Sequence, residues 1–527
     1  MKTMWLLACS VVAALLAAGA ADAETPRRGG TLNFAVSAEP PNYDCHANTS
    51  FAFIHPVRPH YSTLLKFDAA HYPKIAGDLA ESWTVSSDGL TYTFKLRSGV
   101  KFHDGSPFSS ADVKATYERI VHPPAGVVSI RQAAYEDIGS IETPDAQTVV
   151  FKLKAANASM LGNFASPWDC IYSAAKLKQD PKFPEKNVLG TGPFKFVEHV
   201  AGSHWVGQRF DDYFVKGEPY LDGFRAVFMK GGAAIINALQ GGQVAAEFRG
   251  QTPAEREKLV AALGNKVTVQ ESPWICNLVI GFNTNKKPFD DARVRRALSL
   301  AIDRWQGSEA LSKIALVKPV GGLLRPGYEL AASQSELEAM PGFSRNIAAS
   351  RAEAKKLLSE AGQSNVKFKL TNRNVPMPYT PVGVFLIDQW RQIGITVEHE
   401  QLETRLYQAA LSGGNYEVGL DFNCDYVDDP NLQLLKYLSA DKSPINYGRY
   451  NDRTLDELYE KQKRAIEPAQ RKALVREFEK RVLTEAYTVP TIWWHRIIVH
   501  SSAMKGWEIT PSHYLNQDLA DVWLAAN

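Results

Sequence analysis

Alternating hydrophobic and polar residues mark several short stretches of the chain and predict β-strands. Residues 90–97 alternate strictly and residues 148–153 nearly do, which is typical of strands with one buried and one solvated face. Residues 29–36 predict another strand, which ends at the proline-rich turn 39–42. Residues 109–120 instead have a helical pattern, so strands and helices already mix in the first third of the chain.

Helical periodicity continues in the second half of the chain. Residues 292–302 form one periodic stretch, and Ser350 predicts the start of a helix over 352–360. A charged amphipathic helix pair is predicted over 452–486, with an interruption at Pro468. Because no fixed-period repeat or low-complexity segment accompanies these elements, the sequence predicts an α/β protein of two or three lobes.

The N-terminus has the organisation of a secretory signal peptide. Lys2 supplies a positive charge, residues 5–20 are apolar, and small residues precede a predicted cut after Ala23. The apolar run is short for a membrane anchor, and most of it follows Cys9, which argues against lipidation there. We therefore predict a signal peptide at residues 1–23 and a periplasmic, extracytoplasmic protein.

The size and charge of the remaining chain limit its possible architecture and partners. About 500 residues exceed what one hydrophobic core usually organises, so at least two lobes are expected. The formal net charge is +2, charged residues make up 22% of the chain, and no basic block is present. Nucleic acid is therefore an improbable partner, because binding a phosphate backbone requires clustered positive charge.

Four cysteines follow the predicted cleavage site, namely Cys45, Cys170, Cys276 and Cys424. Their spacings exceed 100 residues, which excludes a local zinc knuckle. Three full pairings are possible, and the sequence does not distinguish two disulfides from two free buried thiols.

Sequence motifs of common enzyme classes are absent. The chain contains no G-x-x-x-x-G-K-[ST] loop, no H-E-x-x-H helix and no G-x-S-x-G elbow. These absences favour a protein that is not an enzyme and needs no cofactor. A hydrolase whose catalytic groups meet from distant segments is the alternative.

Four histidines in the N-terminal part suggest a second alternative, capture of a metal chelate or haem. They are His46, His55, His60 and His71. The spacing of His55 and His60 lacks the i, i+4 geometry that aims two rings at one metal. The favoured interpretation is therefore four histidines in unrelated environments.

Two stretches are candidates for ligand contact. The acidic segment 421–431 could pair a carboxylate with a ligand ammonium group, although its Asp and Asn residues could equally cap turns. Trp274 and Asn277 lie at the start of an apolar, strand-like stretch that would face a cleft if it lies at an edge.

Several segments together resemble the family 5 extracellular solute-binding proteins, the dipeptide, oligopeptide and nickel binders. Residues 79–105 contain the pattern LAESWTVSSDGLTYTFKLRSGVKFHDG, and residues 107–113 continue it. GTGPF at 190–194 and FNTNKKPFD at 282–290 resemble further landmarks in the order of the family. The resemblance spans nearly all of the predicted mature chain.

This resemblance implies an α/β, bilobal, periplasmic-binding-protein-like clamshell with an extra subdomain on the first lobe. Lobe I would be discontinuous, lobe II would be continuous, and hinge crossings would lie near residues 281–282 and 496–497. The implied divisions are 24–64 plus 187–281 plus 497–527 for lobe I, 65–186 for the subdomain and 282–496 for lobe II.

The resemblance also implies individual site residues. Asp425 matches the aspartate with which peptide-binding relatives hold the ligand's α-amino group. Dipeptide binders place a carboxylate-binding arginine just before a Pro-Tyr-Asn-Pro-like segment, whereas Met377 precedes that segment here and Arg373 lies four residues earlier. Either Arg373 substitutes because its loop folds inward, or the ligand lacks a carboxylate there, so the resemblance does not imply dipeptide specificity.

Four aromatic and polar residues are expected to wall the cleft. They are Tyr43, in the N-terminal loop, and Phe422, Asn423 and Tyr426, which flank the aspartate. Nickel binders have a histidine after the corresponding Asp-Pro, where this chain has Asn431, which weakens the metal alternative.

Together these features predict a monomeric binding component of an ABC importer. It would capture a peptide-like or small polar or cationic organic ligand and deliver it to permease and ATPase subunits. The alternatives are a metal-chelate or haem binder of the same family and a chemoreceptor-type binder without transport.

Overall fold

The computed structural model describes residues 25–363, 365–375 and 377–526, so the predicted signal peptide lies outside the described residues. The strands are β1 (Thr31–Val36), β2 (Leu65–Phe67), β3 (Ile75–Gly77), β4 (Ala80–Val85), β5 (Thr91–Leu96), β6 (Ile138–Asp145), β7 (Thr148–Leu153), β8 (Phe194–Val200), β9 (His204–Arg209), β10 (Gly223–Phe228), β11 (Ala246–Glu247), β12 (Val267–Phe282), β13 (Lys367–Arg373), β14 (Thr396–Leu402), β15 (Val418–Cys424), β16 (Thr488–Ser501), β17 (Met504–Lys505) and β18 (Trp523–Leu524).

The α-helices alternate with these strands along the chain. They are α1 (Phe51–Val57), α2 (Ser110–Val121), α3 (Met160–Asn163), α4 (Ala174–Gln179), α5 (Gly232–Gln240), α6 (Pro253–Leu263), α7 (Ala292–Leu300), α8 (Arg304–Leu311), α9 (Gln334–Glu338), α10 (Ile347–Glu360), α11 (Tyr379–Arg391), α12 (Thr404–Gly413), α13 (Pro430–Gln433), α14 (Arg453–Arg464) and α15 (Pro468–Glu485). In the described part of the chain, no helix is long and apolar enough to cross a membrane.

Three larger sheets organise the fold. The first sheet has the order β11-β1-β10-β9-β8, with β1 parallel to both neighbours and the other pairs antiparallel. The second has the order β14-β13-β15-β12-β16 and mixes parallel and antiparallel pairs. The third, β4-β5-β7-β6, is antiparallel. Each sheet packs against its own hydrophobic core, as expected for a chain too long for one core.

Two long strands join the first and second cores. β12 and β16 pair along nearly their whole lengths, with register shifts between Pro273 and Val279. Val267 and Ile497 pack with the cluster behind the first sheet, whereas Trp274 packs in the core of the second sheet. Along β12, the packing therefore changes from the cluster behind the first sheet to the core of the second sheet between Val267 and Trp274.

The four cysteines form two disulfides, which answers the question that the sequence left open. Cys45 pairs with Cys170, and Cys276 pairs with Cys424. The first bond ties the segment after β1 to the segment before α4. The second cross-links neighbouring positions of β12 and β15, at the end of β15 that leads into the acidic segment.

Candidate functional site

Asp425 follows directly after β15, and its backbone is fixed to the strand between the two lobes. Its N–H donates to the carbonyl of Ile275 at 3.1 Å, and the preceding residue, Cys424, is cross-linked to Cys276. The backbone of Asp425 is therefore anchored to β12 and β15, two neighbouring strands of the second sheet. A preorganised group of this kind costs little additional ordering when a ligand binds.

The Asp425 carboxylate is partly buried and has little neutralisation from the protein. Its Oδ1 accepts a 3.0 Å hydrogen bond from the N–H of Tyr426. The pKa of the carboxyl is raised to about 7, mainly by burial and also by the negative charges of Asp429 and Asp428, while the Tyr426 N–H and Arg131 act to lower it. A cationic ligand group would relieve this penalty.

Arg131 approaches Asp425 from the segment between α2 and β6. Its guanidinium lies 4.7 Å from the ring centroid of Trp168 and 5.9 Å from that of Tyr426. Since Tyr426 comes from the chain after β15, this stacking spans the third and second sheets. No local pattern in the sequence indicates Arg131 as a site residue.

The C-terminal segment supplies another wall. The rings of Tyr514 and Trp168 lie 5.4 Å apart, and His513 stacks on Tyr514 at 3.8 Å. Trp274, which is buried, donates its indole N–H to His513 Nδ1 at 3.0 Å. The buried Trp274 therefore fixes the position of His513 in this segment.

Two arginines lie further along the same interface. Arg373 donates to Tyr379 Oη at 3.2 Å and to Thr404 Oγ1 at 3.1 Å, and it lies 5.8 Å from the Phe422 ring. Arg249, exposed after β11, lies 4.9 Å from the ring of Phe51. The cationic groups therefore come from both the first and the second sheet.

Two buried tyrosines respond to the charged groups of this interface. Burial raises the pKa of Tyr514 to about 12, and Arg249, Asp425 and Arg131 all act on it. Burial also raises the pKa of Tyr379 to about 12, and Arg373 and Arg249 both lower it. Arg249 therefore acts on both tyrosines, Arg131 and Asp425 act on Tyr514, and Arg373 acts on Tyr379.

Some of the other predicted site residues lie at this interface, and the others lie away from it. Phe422 and Tyr426 are partly buried beside Arg373 and Arg131. Asn423 donates to the carbonyl of Gln433 at 2.9 Å, and Asn277 is fully buried in β12 with no hydrogen-bond partner for its amide among the described residues.

Tyr43 is placed in a different environment. Its ring lies edge-on to Trp205 at 5.0 Å, and its Oη is within 2.9 Å of His199 Nδ1. These contacts belong to β8 and β9 of the first sheet. The structure therefore does not bring Tyr43 together with Asp425 through these contacts.

A polar bridge joins the two lobes beyond the site, formed by Glu136, Asp137 and Ser159 on one side and Asp429, Lys463, Arg464 and Arg471 on the other. Ser159 donates to Asp429 Oδ1 at 2.7 Å and accepts from Arg471 at 2.8 Å. Lys463 lies 2.6 Å from Glu136, and Arg464 lies 2.8 Å from Asp137. Asp429 is four residues after Asp425, so the bridge and the site share one loop.

The N-terminal histidines make separate contacts. His46, His55 and His60 are buried with ring nitrogens near the carbonyls of Cys170, His513 and Phe194, and burial lowers the pKa of each to about 3. Across the described residues, no group of three or more His, Cys, Asp or Glu side chains is arranged to hold a metal ion.

The protein has two lobes that are joined by long strands, and both lobes place charged and aromatic groups at their interface. This arrangement is that of a bilobal ligand-binding protein. The family model of the bacterial extracellular solute-binding proteins, family 5, matches residues 74–444. The chain belongs to this family, as the resemblance in its sequence implied.

Relatives in sequence and structure agree with this assignment. The glutathione-binding protein GsiB of Pectobacterium atrosepticum is 31% identical over 425 residues, which cover 79% of this chain and 77% of the relative. The periplasmic binding protein DppA of Helicobacter pylori, in complex with the peptide STSA, has 25% identity and a TM-score of 0.76 over 94% of this chain and 98% of its own. AgaA from A. tumefaciens R10, in complex with agropinic acid, has the same identity and TM-score over 94% and 99%.

Proposed function

We propose that this protein is the extracytoplasmic binding component of an ABC importer for small peptide-like ligands with a free ammonium group and at least one carboxylate. The observation that carries the proposal is Asp425, a largely desolvated carboxylate fixed at the interface between lobes. It faces Tyr514 and Tyr426, and no ion pair to a protein cation within 4.0 Å is found for it among the described residues.

The distribution of charge supports a ligand with groups of opposite sign. Asp425 suits an ammonium group, while Arg249 and Arg373, which come from the first and the second sheet, suit a carboxylate. Aromatic rings between them provide apolar surface for the ligand's body. Binding to both lobes would favour the closed form, which permease and ATPase subunits would then recognise.

Names of relatives point to the same ligand class. A glutathione-binding relative and a structural neighbour with a bound tetrapeptide both handle short peptides with free termini. Glutathione and Ser-Thr-Ser-Ala are therefore suitable probes. The protein is further proposed to be a monomer that performs no chemistry on its ligand. After cleavage behind Ala23 it would lie outside the cytoplasm.

Isothermal titration calorimetry of the purified protein with each probe tests the ligand class. Asp425→Asn should weaken binding by about 10–100-fold, since a charge-assisted hydrogen bond to a buried group contributes about 1.5–3 kcal/mol. Glu257→Gln, at an exposed carboxylate on α6, is the matched control and should leave affinity unchanged. Equal binding by the Asp425 variant and the parent protein would contradict the role of Asp425.

Native mass spectrometry of the protein as purified gives an independent test. A released peptide or amine would support the proposal, whereas a porphyrin or a metal chelate would favour the alternative ligand class. Uptake of radiolabelled ligand by cells that lack the gene tests transport, and undiminished uptake would contradict an importer role.

A further inference from the structure

A cavity of about 150 Å³ lies where the β2–β3 hairpin faces the C-terminal segment between β17 and β18. Tyr514 is the one lining residue that it shares with the site around Asp425. The apolar part of its wall is formed by Phe67, Ala69, Ala76, Ala165, Pro167 and Leu515. A cavity of this volume can hold a molecule of about the size of benzene.

Gln517 lines this cavity and has a hydrogen-bond acceptor without a partner. The residue is 2% exposed, and its Nε2 donates to the carbonyls of His513 and Leu515 at 3.5 and 3.2 Å. Its Oε1, on the other branch of the amide, has no hydrogen-bond partner among the described residues. A buried acceptor without a donor is unfavourable, so this carbonyl favours a ligand that brings an N–H or O–H group.

The two cations of the cavity wall are already neutralised by carboxylates. Arg58 is buried and lies 3.5 Å from Asp78, and Lys66 donates to Asp518 at 3.2 Å. Asp521 also lines the cavity, and in the part of the chain that the structure describes no ion pair is found for it. The wall therefore has an excess of negative charge at its C-terminal side.

Glu218 adds a further carboxyl group beside Asp521. The two side chains are hydrogen-bonded to each other, and burial together with the charge of Asp521 raises the pKa of Glu218 to about 7. Burial and the charge of Asp518 raise the pKa of Asp521 as well. A cation would relieve this repulsion. Since no group of three or more metal-ligating side chains is arranged for a metal ion among the described residues, a cation with its own N–H donors is the better match.

We propose that this cavity is a second binding site, which takes a small primary ammonium ligand with a short aliphatic body. The N–H bonds of the ammonium would reach Gln517 Oε1 and the carboxylate of Asp521, and the aliphatic body would pack against Phe67 and the alanines. The site is separate from the carboxylate of Asp425, so the protein would hold two ligands at once.

The test compares butylammonium, tetramethylammonium and butanoate, three probes of similar size, by saturation-transfer NMR titration of the purified parent protein. Tetramethylammonium has the same charge as butylammonium but no N–H bond, and butanoate has the opposite charge. Butylammonium should bind at least about 10-fold more tightly than either, because only this probe donates charge-assisted hydrogen bonds. Equal binding of either other probe, or no detectable binding of butylammonium, would overturn the proposal.

Three variants locate the bound ammonium. Asp521→Asn, at an exposed position, should weaken butylammonium binding by about 10-fold, whereas Asp388→Asn on α11 should leave it unchanged. Asp425→Asn should retain this binding within about 3-fold, since the two sites are separate. Loss of binding in Asp425→Asn with unchanged binding in Asp521→Asn would place the ammonium between the lobes and overturn the second site.

The outcomes are independent of the proposed function. If glutathione and Ser-Thr-Ser-Ala fail to bind while butylammonium binds in the Asp521-dependent manner, the proposed function falls and the second site remains. Peptide binding without butylammonium binding gives the opposite result. Because the probe comparison uses the parent protein, it stands even if a variant does not fold.

Discussion

Ligand affinity should depend on pH through Asp425. The folded, ligand-free carboxyl has a pKa of about 7, mainly because of burial, while an ammonium ligand requires the ionised form. The ionised fraction falls from about one half at pH 7 to about one hundredth at pH 5. Affinity for glutathione should therefore fall by about 50-fold, or about 2.3 kcal/mol, between these pH values.

The ligand's own charges do not produce this trend. Over this range an α-amino group stays mostly protonated and α-carboxyl groups stay ionised. The groups that face Asp425 are Arg131, Tyr426, Asp428, Asp429 and Tyr514, and Asp169 titrates in the same range. Asp169→Asn should keep the pH dependence, whereas Asp425→Asn should remove most of it.

Calorimetry in buffers of different ionisation enthalpy measures the linked proton directly. At pH 6 about 0.9 protons should be released on binding, because that fraction of the free protein carries the proton on Asp425. A dissociation constant that is flat from pH 5 to pH 7, or proton uptake instead of release, would refute the assignment of the ammonium to Asp425.

Three further perturbations have expected outcomes. Because the folded protein raises the pKa of Asp425, this carboxyl favours folding at low pH, and its contribution is lost as the pH rises through about 7. Asp425→Asn should therefore increase the free energy of unfolding of the ligand-free protein at pH 8 by about 1–3 kcal/mol, measured by chemical denaturation. A lower free energy of unfolding would contradict this. Arg471→Ala breaks the polar bridge and should lower glutathione affinity about 3–10-fold while increasing the radius of gyration in X-ray scattering; unchanged scattering would argue against the bridge holding the lobes together. Replacing Cys276 and Cys424 by serine should lower the free energy of unfolding by about 2–5 kcal/mol, and an unchanged denaturation midpoint would contradict that contribution.

Local patterns predicted much of the secondary structure. The alternation at 90–97 corresponds to β5, and the predicted interruption at Pro468 is where α15 begins, with proline in its first turn. The start of α10 was predicted too late, because Asn346 caps this helix by accepting the N–H of Ala349, and Ser350 lies within it. Several nearby side chains can cap a helix, so one such residue in the sequence does not by itself identify where the helix starts.

The site was less predictable because its parts are distant in sequence. Asp425 stood out in an unusual acidic loop and matched a family position. Arg131, Arg249 and Tyr514 gave no comparable signal, because residues distant in sequence bring them to the site, such as Tyr426 for Arg131 and Asp425 for Tyr514. Tyr43 was chosen from its loop alone, and its position beside Trp205 depends on strand pairing that the loop does not encode.

The discontinuity of the first core has a consequence for the order of folding. Leu32 and Phe34 of β1 pack in one cluster with Ile498, Trp507 and Val522. During synthesis, the first strand must therefore wait for nearly the whole chain before its core can close. Contacts of such long sequence separation form slowly and leave apolar surface uncovered meanwhile, so folding of this protein should depend on protection of its N-terminal half until the last segment arrives.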